Sequence, residues 1–439
     1  MTTPYLHPKM RYTFVGCDSH KKTHTLVFLN CFYEPLGELV ISNTPSDFPM
    51  FLKQASKFLQ PGTEFCFGFE DVSVYGRSLI KFLLHQPYLV KHTNASLVAS
   101  ERRSTNTLNK NDSIDALCCA RVLINRFDSL PLATVDDPLF ILRSLVSRRK
   151  SMVKINGMLK NHLHTLLADH YPTYPQFFHD LTTKSALAFF EAYPSPSILK
   201  SSTIEVLEEL LYTASSGKIG QKKAQKQAEA IWNAVNREGV EPFDYQEQRD
   251  LTICSIIRQL QNNLHEMEHI EIHLGQFLDL LDIPLTSMKG IDTVLAGRLI
   301  NEIGDIHRFK NPASLAKYAG IAPVTYASGS SQVEYANKRG NRELSAIFYQ
   351  LAISLTMPRG ADRQVLNPFF HEYYHRKLSE GKTTKQALKC VQRRLVNVVY
   401  GVMKYKQDYI NPPVMFEDKD NKLKLSPTKP TKKQATFKS

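Results

Sequence analysis

Between Arg11 and Phe127 the apolar positions fall into short blocks separated by turn-forming residues. "RYTFVGCD", "HTLVFLNC" and "GELVI" are closely spaced runs rich in β-branched and aromatic side chains, and each predicts a strand. "TPSDFPMFLKQASKFL" opens on turn and cap residues and continues at helical spacing. "TEFCFGFE" returns to strand, "YGRSLIKFLLH" to helix and "YLVKHT" to strand, and "DSIDALCCARVLINRF" is an apolar helix with an acidic first turn. Three strands, then helix, strand, helix, strand, helix is the element order of an α/β, ribonuclease-H-like (RuvC-like) domain, here spanning 1–136. From 137 to 283 the strand pattern vanishes. "LRSLVSRRKSMVKINGMLKNHLHTLLADH" is helical and basic, and Ile253, Ile257, Leu260, Leu264, Met267, Leu274, Leu278 and Leu281 form a heptad seam. That seam fits either an amphipathic helix packed within the chain or a coiled coil between protomers. The stretch 185–250 carries no motif. Over 284–412 short helices alternate with glycine turns, predicting a mainly α domain with a helix-hairpin-helix-like segment at "SMKGIDTVLAGRLINEIGDIHRF". The remainder, 413–439, is Lys-rich and polar, the composition of a disordered basic tail.

Composition narrows the partners. The chain has 439 residues, 42% of them hydrophobic, and a formal net charge of +13. A surplus of that size points to a polyanion, with nucleic acid ahead of an anionic membrane surface. No apolar run approaches the roughly 18 residues of a spanning helix, and "MTTPYLHPKMRYTF" lacks a signal-peptide core, so a soluble cytoplasmic protein is expected. The seven cysteines are scattered with no C-x-x-C pair, which suits free thiols in a reducing compartment better than disulfides or zinc.

Candidate chemistry gathers at two places. In "VGCDSHKKTH" a buried strand ends on Asp18 amid His20, Lys21, Lys22 and His24, and a second strand ends on Glu70. Asp112 and Asp115 share one helix face, where like charges repel unless something compensates. An acidic first turn is the plain alternative, because the helix dipole tolerates carboxylates there. Four carboxylates meeting in space would instead suit magnesium, which takes oxygen ligands and leaves positions open for phosphate. The second place is "APVTYASGSSQVEYANKRGNREL". Lys338, Arg339 and Arg342 surround Gly340 as a candidate phosphate clamp, and Ser328 precedes a glycine, although Ser330 and Ser331 are equally placed by composition. The Gly-Ile-Asp turn at 290–292 offers helix N-terminal amides to a phosphate. His265, His269 and His273 stand four apart on the heptad helix and read as a solvated face.

Together these residues resemble the transposases of the IS110 class and, through them, the Piv-type DNA invertases. "VGCDSHKKTH" is similar to the family's strand motif, with Gly16, Asp18, Lys21 and His24 in register. "FEDVSVYGRSLIKFL" resembles the motif carrying Glu70 and Tyr75, and "KNDSIDA" the one carrying Asp112 and Asp115. The block from "GIDTVLAGRL" to "KRGNREL" resembles the C-terminal part, with Ser328 on the family's catalytic serine. Cys17, Ser19-His20 and Val72-Ser73 depart from the pattern without removing an acid or the serine. The resemblance implies a DNA recombinase that inserts and excises its own element. Asp18, Glu70, Asp112 and Asp115 would bind magnesium, and Ser328 would form a phosphoserine link. A bridge RNA would pair with donor and target DNA, and a homo-oligomer would bring acids and serine together between protomers. Two other readings remain. A RuvC-like nuclease or junction resolvase would use the acids without the serine, and a non-catalytic nucleic-acid-binding scaffold would use neither.

Overall fold

The leading apolar runs form strands β1 (Tyr12–Ser19), β2 (Thr23–Leu29) and β3 (Pro35–Ser42). Helix α1 (Phe48–Ala55) precedes β4 (Glu64–Phe69), α2 (Arg77–Leu84) precedes β5 (Leu89–His92), and α3 (Ala95–Ser104) and α4 (Asp112–Asn125) follow. The sheet order is β3-β2-β1-β4-β5. β1 runs antiparallel to β2 and parallel to β4, and β4 is parallel to β5. This mixed sheet is the ribonuclease-H-like arrangement that the element order predicted. The computed structural model describes residues 7–70, 74–105, 111–135, 137–239, 242–328, 331–358, 360, 364–410, 415–416 and 424–425. The chain divides into two compact units, Met1–Phe140 and Ile141–Ser439.

Strand alternation sends successive side chains of the first unit to opposite faces. Val15 and Cys17 join Phe65, Phe67 and Phe69 in a core with Phe48, Phe51, Leu79 and Ile80 of α1 and α2. Phe14 and Cys66 face the other way, against Val98 of α3 and Ala116, Ala120 and Leu123 of α4. Two glycines set how closely α4 lies on this second face. Gly16 pairs with Gly68 across the β1–β4 ladder. A Cβ on Gly16 would fall 2.1 Å from the Ala116 carbonyl oxygen and 2.3 Å from the Ala120 nitrogen, inside contact distance. On Gly68 a Cβ would come within 3.1 Å of the Leu123 side chain. The missing side chains let helix backbone rest on strand backbone, which carries the first turn of α4 to the end of β1. Helix α3 was not foreseen from the sequence. Its one buried residue is Val98, too little to give an apolar period.

Among the described residues the second unit is helical apart from two short antiparallel strand pairs. Helix α5 (Asp137–His170), whose residues from Ile141 onward belong to this unit, runs antiparallel to α10 (Gln246–Leu281), since Arg149 Nε bonds Glu271 at 2.7 Å and Asn156 Nδ2 reaches Met267 Sδ at 3.2 Å. Between them lie α6 (Lys184–Ala192), α7 (Pro196–Lys200), α8 (Ile204–Ala214) and α9 (Gln221–Glu238). The stretch that carried no motif is thus a helical cap. Tyr171, Phe177, Phe189, Phe190, Leu211 and Ile231 share one core with Leu163 of α5 and with Ile253, Ile257 and Leu260 of α10. The heptad seam is buried within the chain. Its first half faces this cap, and Leu274 packs against α11 (Thr293–Ile303), where a Cβ on Gly297 would lie 3.1 Å from it. His265 and His269 are exposed, as expected of a solvated face.

Beyond α11 come α12 (Pro312–Tyr318), the antiparallel strands β6 (Val324–Ser328) and β7 (Ser331–Tyr335), α13 (Arg342–Thr356), α14 (Pro368–Ser379) and α15 (Thr384–Tyr405). Before the Gly-Ile-Asp turn there is only a three-residue 3₁₀ turn, Leu285–Ser287, rather than a full helix. Gly290 does adopt φ +99°, but Asp292 Oδ1 accepts from the Leu295 amide at 2.7 Å. A carboxylate therefore fills the helix N-terminus that the sequence offered to phosphate. The predicted disordered tail lies outside the described residues, except for Met415–Phe416 paired with Lys424–Leu425.

Candidate active site

β1 ends one residue past Asp18, which stands on the face covered by α4 and is half-buried. Asn111 caps α4 by accepting from the Ile114 amide at 2.8 Å, so Asp112 and Asp115 are not needed as caps. His20 Nε2 lies 3.2 Å from Asp18 Oδ2 and 3.2 Å from Asp112 Oδ1, bridging strand end and helix start. Ligand atoms of Asp18, His20 and Asp112 all lie within 4.8 Å of one another. The turn bearing His20 is tied down: the His20 amide donates to Thr23 O at 2.9 Å and Asn43 Nδ2 to His20 O at 3.1 Å. Burial pushes the Asp18 carboxyl above its ordinary range; Asp112 and Asp115 push it further, and His20 opposes them.

The other two acids are placed differently. Asp115 is buried and ion-paired to Arg102 of α3. Glu70 follows the last residue of β4, and Phe69 is the partner of Cys17, so Glu70 comes out of the sheet level with Asp18. Neither belongs to the 4.8 Å group. Both Glu70 and Asp18 act on the buried Cys119 thiol, which burial first and these charges second push up to about 12. Lys21 and Lys22 are exposed at the β1–β2 turn, but His24 is fully buried near Phe48, which takes it out of the cationic patch read from the sequence.

In the second unit, Ser328 ends β6 opposite Ser331. Gly329 and Ser330 lie outside the described residues. The loop that follows β7 is anchored from behind. Asn337 Nδ2 donates to Lys317 O at 2.7 Å, the Asn341 amide to Tyr318 O at 2.7 Å, and Asn341 Nδ2 to Glu302 Oε2 at 2.9 Å. Asn341 also caps α13 through the Leu344 amide. A Cβ on Gly340 would meet Gly320 Cα at 2.3 Å, so only glycine lets the two turns touch. With its back fixed, the loop leaves Lys338, Arg339 and Arg342 exposed to solvent.

Both blocks have counterparts in known proteins. Residues 15–172 match a DEDD transposase model of the IS110 type, and residues 283–374 match a model described as "Transposase IS116/IS110/IS902 family". The chain belongs to this transposase family. The "Insertion element IS116 uncharacterized 44.8 kDa protein" of Streptomyces clavuligerus is 26% identical over 312 residues, 69% of this chain and 73% of that one. The corresponding IS110 protein of Streptomyces coelicolor is 26% identical over 302 residues, covering 67% and 71%. The "Pilin gene-inverting protein" of Moraxella bovis is 28% identical over 127 residues, 28% of this chain and 37% of its own.

The transposase is therefore an enzyme acting on DNA, and its DEDD domain implies a divalent metal. The residues fit one. Asp18 and Asp112 are hard oxygen donors held close together, and the Asp18 carboxyl is raised first by burial and then by Asp112 and Asp115, costs that a bound cation would offset. Sequence reasoning missed two members of the site. His20 was read only as a nearby cation, although its spacing of two from Asp18 places it at the turn. Arg102 was missed with its helix; the "ERR" run at 101–103 was the available signal. Among the described residues no helix is long and apolar enough to cross a membrane.

Proposed function

We propose that this transposase cuts and rejoins DNA during insertion and excision of a mobile element, with Asp18, Glu70, Asp112 and Asp115 holding magnesium and Ser328 acting as nucleophile. The observation that carries the reading is the approach of Asp18 and Asp112 around His20, with the Asp18 carboxyl raised first by burial and then by its acidic neighbours. Magnesium bound there would neutralise charge on a phosphodiester and stabilise a leaving oxygen. Ser328 Oγ loses its proton and forms a bond to phosphorus; the phosphorus–oxygen bond to one DNA end breaks, and that oxygen takes up a proton. The other end stays esterified to the serine. Attack by a hydroxyl of the recipient strand then reverses these changes and frees Ser328. One phosphoester replaces another at each step, so no high-energy cofactor is needed. Lys21, Lys338, Arg339 and Arg342 bind backbone phosphates. A +13 chain whose cations face solvent suits an arrangement in which a bridge RNA reads sequence by pairing and the protein, as a homo-oligomer, holds backbones.

The test combines two variants. Ser328→Ala should remove the covalent protein–DNA adduct on a denaturing gel, whereas Asp18→Asn should stop strand exchange and leave nucleic-acid binding intact. An adduct persisting in Ser328→Ala moves the nucleophile elsewhere. Strand cleavage without any adduct in the parent protein favours a nuclease working through water. Recombination that survives ribonuclease treatment and RNA-free reconstitution removes the guide.

A further inference from the structure

The cations assigned so far in the second unit follow the hairpin β6–β7. A second cationic cluster borders the segment that leads into it. The segment Ile321–Pro323, which leads into β6, lines an open groove of about 640 Å³ together with Lys382 of the turn before α15 and Lys389 and Arg393 of the first half of α15. From Arg376 to Arg394 the sequence carries seven Lys and Arg and one acid, Glu380. That acid is already engaged, 2.7 Å from Lys377 and 3.8 Å from Lys382. Among the described residues no carboxylate lies within ion-pair distance of Lys389 or Arg393. Lys389 Nζ donates to Gly320 O at 3.2 Å, and Arg393 Nη1 to Asn397 Oδ1 at 2.8 Å and Pro312 O at 3.4 Å. Both cations are oriented by neutral acceptors, which leaves their charge uncompensated.

We propose that this groove is a second nucleic-acid subsite, in which Lys382, Lys389 and Arg393 grip the phosphates of a strand crossing the root of the β6–β7 hairpin. Three observations converge. Lys389 and Arg393 have no counter-ion among the described residues, and the one acid lining the groove, Glu380, is shared between Lys377 and Lys382. The groove lining includes Ile321, Ala322 and Pro323, which gives sugars an apolar surface. The groove is coupled to the loop of Lys338 and Arg339, because Lys389 holds Gly320, and Gly320 is the residue against which Gly340 packs. Partial burial also holds the Lys389 ammonium below its ordinary range, a cost that a bound phosphate would offset. Both clusters border the hairpin root, where Gly320 meets Gly340, so a backbone held by both crosses the base of the hairpin whose first strand bears Ser328. The proposal rests on the DNA-handling reading above, although not on the identity of the nucleophile.

The test uses the full-length chain and fluorescence anisotropy over a salt series. The probes are single-stranded DNA, single-stranded RNA and duplex DNA of one sequence. The double variant Lys389→Gln, Arg393→Gln should reduce the slope of log affinity against log salt by about 1.5 for the polymer that occupies the groove. The probe whose slope changes identifies that polymer. Lys389→Arg keeps the charge and should keep the parent slope. Slopes and affinities within twofold of the parent for all three probes would overturn the proposal, as would an equal loss in Lys389→Arg, which would mark a structural role. Ser328→Ala should leave every slope unchanged, so failure of the serine mechanism shows in the adduct assay and failure of the groove in the salt series.

Discussion

The acid site and the serine hairpin are built by opposite means. Asp18 and Asp112 are placed by core packing: a strand and a helix touch backbone to backbone at Gly16, and the carboxylates project from the edge of that contact. Ser328 ends a strand of a two-stranded hairpin whose neighbouring loop is held by side-chain caps, Asn337 and Asn341, and by the Gly320–Gly340 contact. Buried apolar area makes the first arrangement stiff, since a change of one methyl group in a close-packed interface is felt throughout it. The second rests on a few hydrogen bonds, each worth about 1 kcal/mol, and can adjust locally. The proposed metal-binding edge is thus rigid, and the proposed nucleophile sits on an adjustable hairpin.

The largest effect that would test this contrast is chemical. Asp18→Asn should take strand exchange below detection and abolish the rise in melting temperature that the parent gains with magnesium or manganese. A variant that keeps that ion-dependent rise would remove Asp18 from the metal site. Next in size, Gly16→Val should destabilise the first unit by about 3 kcal/mol in urea unfolding, because the added atoms meet helix backbone rather than a movable side chain. Gly340→Val clashes as tightly with Gly320, yet at a surface turn it should cost less than Gly16→Val; equal costs would erase the distinction between core-built and cap-built sites. Asn341→Ala, which loses a helix cap and the bonds to Glu302 and Tyr318, should cost about 1–2 kcal/mol. The smallest effect lies away from both sites. Hydrogen bonding from Lys160, and then from the Thr182 amide, holds the Asp180 carboxyl down at about 2. A depressed acid stabilises the fold above its unfolded pKa near 3.8 and loses that contribution as pH falls through about 2. Since the Asp180 side chain is 41% exposed and so screened by solvent, the loss should be only about 0.5 kcal/mol, read as the difference in acid unfolding between the parent and Lys160→Met.

Much of this was legible without coordinates. The strands of the first unit follow from alternating apolar runs, and α4 from its acidic first turn and the apolar run behind it, because those signals are carried by neighbouring residues. Asp18, Glu70, Asp112 and Asp115 were named as candidates through motif resemblance, and of these Asp18 and Asp112 come together around His20. What was not legible involves partners far apart in the chain. Arg102 pairs with Asp115 because α3 packs on α4, and α3 has one buried residue to announce it. His24 looked like a surface cation beside Lys22, but strand parity turns it into the core. The heptad pattern of α10 allowed two partners, and only the surrounding helices α6 to α9 and α11 show that the chain covers its own seam.

By itself the sequence determined the order of elements, the split between a β-rich first part and a helical remainder, the basic charge and the identity of the candidate acids and serine. Each is written in local periodicity, composition or motif spacing. Tertiary structure alone decided that a glycine pair lets α4 rest on the sheet, that His20 stands between two carboxylates, and that Lys389 meets the turn before the serine hairpin. Those are distances between residues tens or hundreds of positions apart, and they are fixed only when close packing excludes the alternatives.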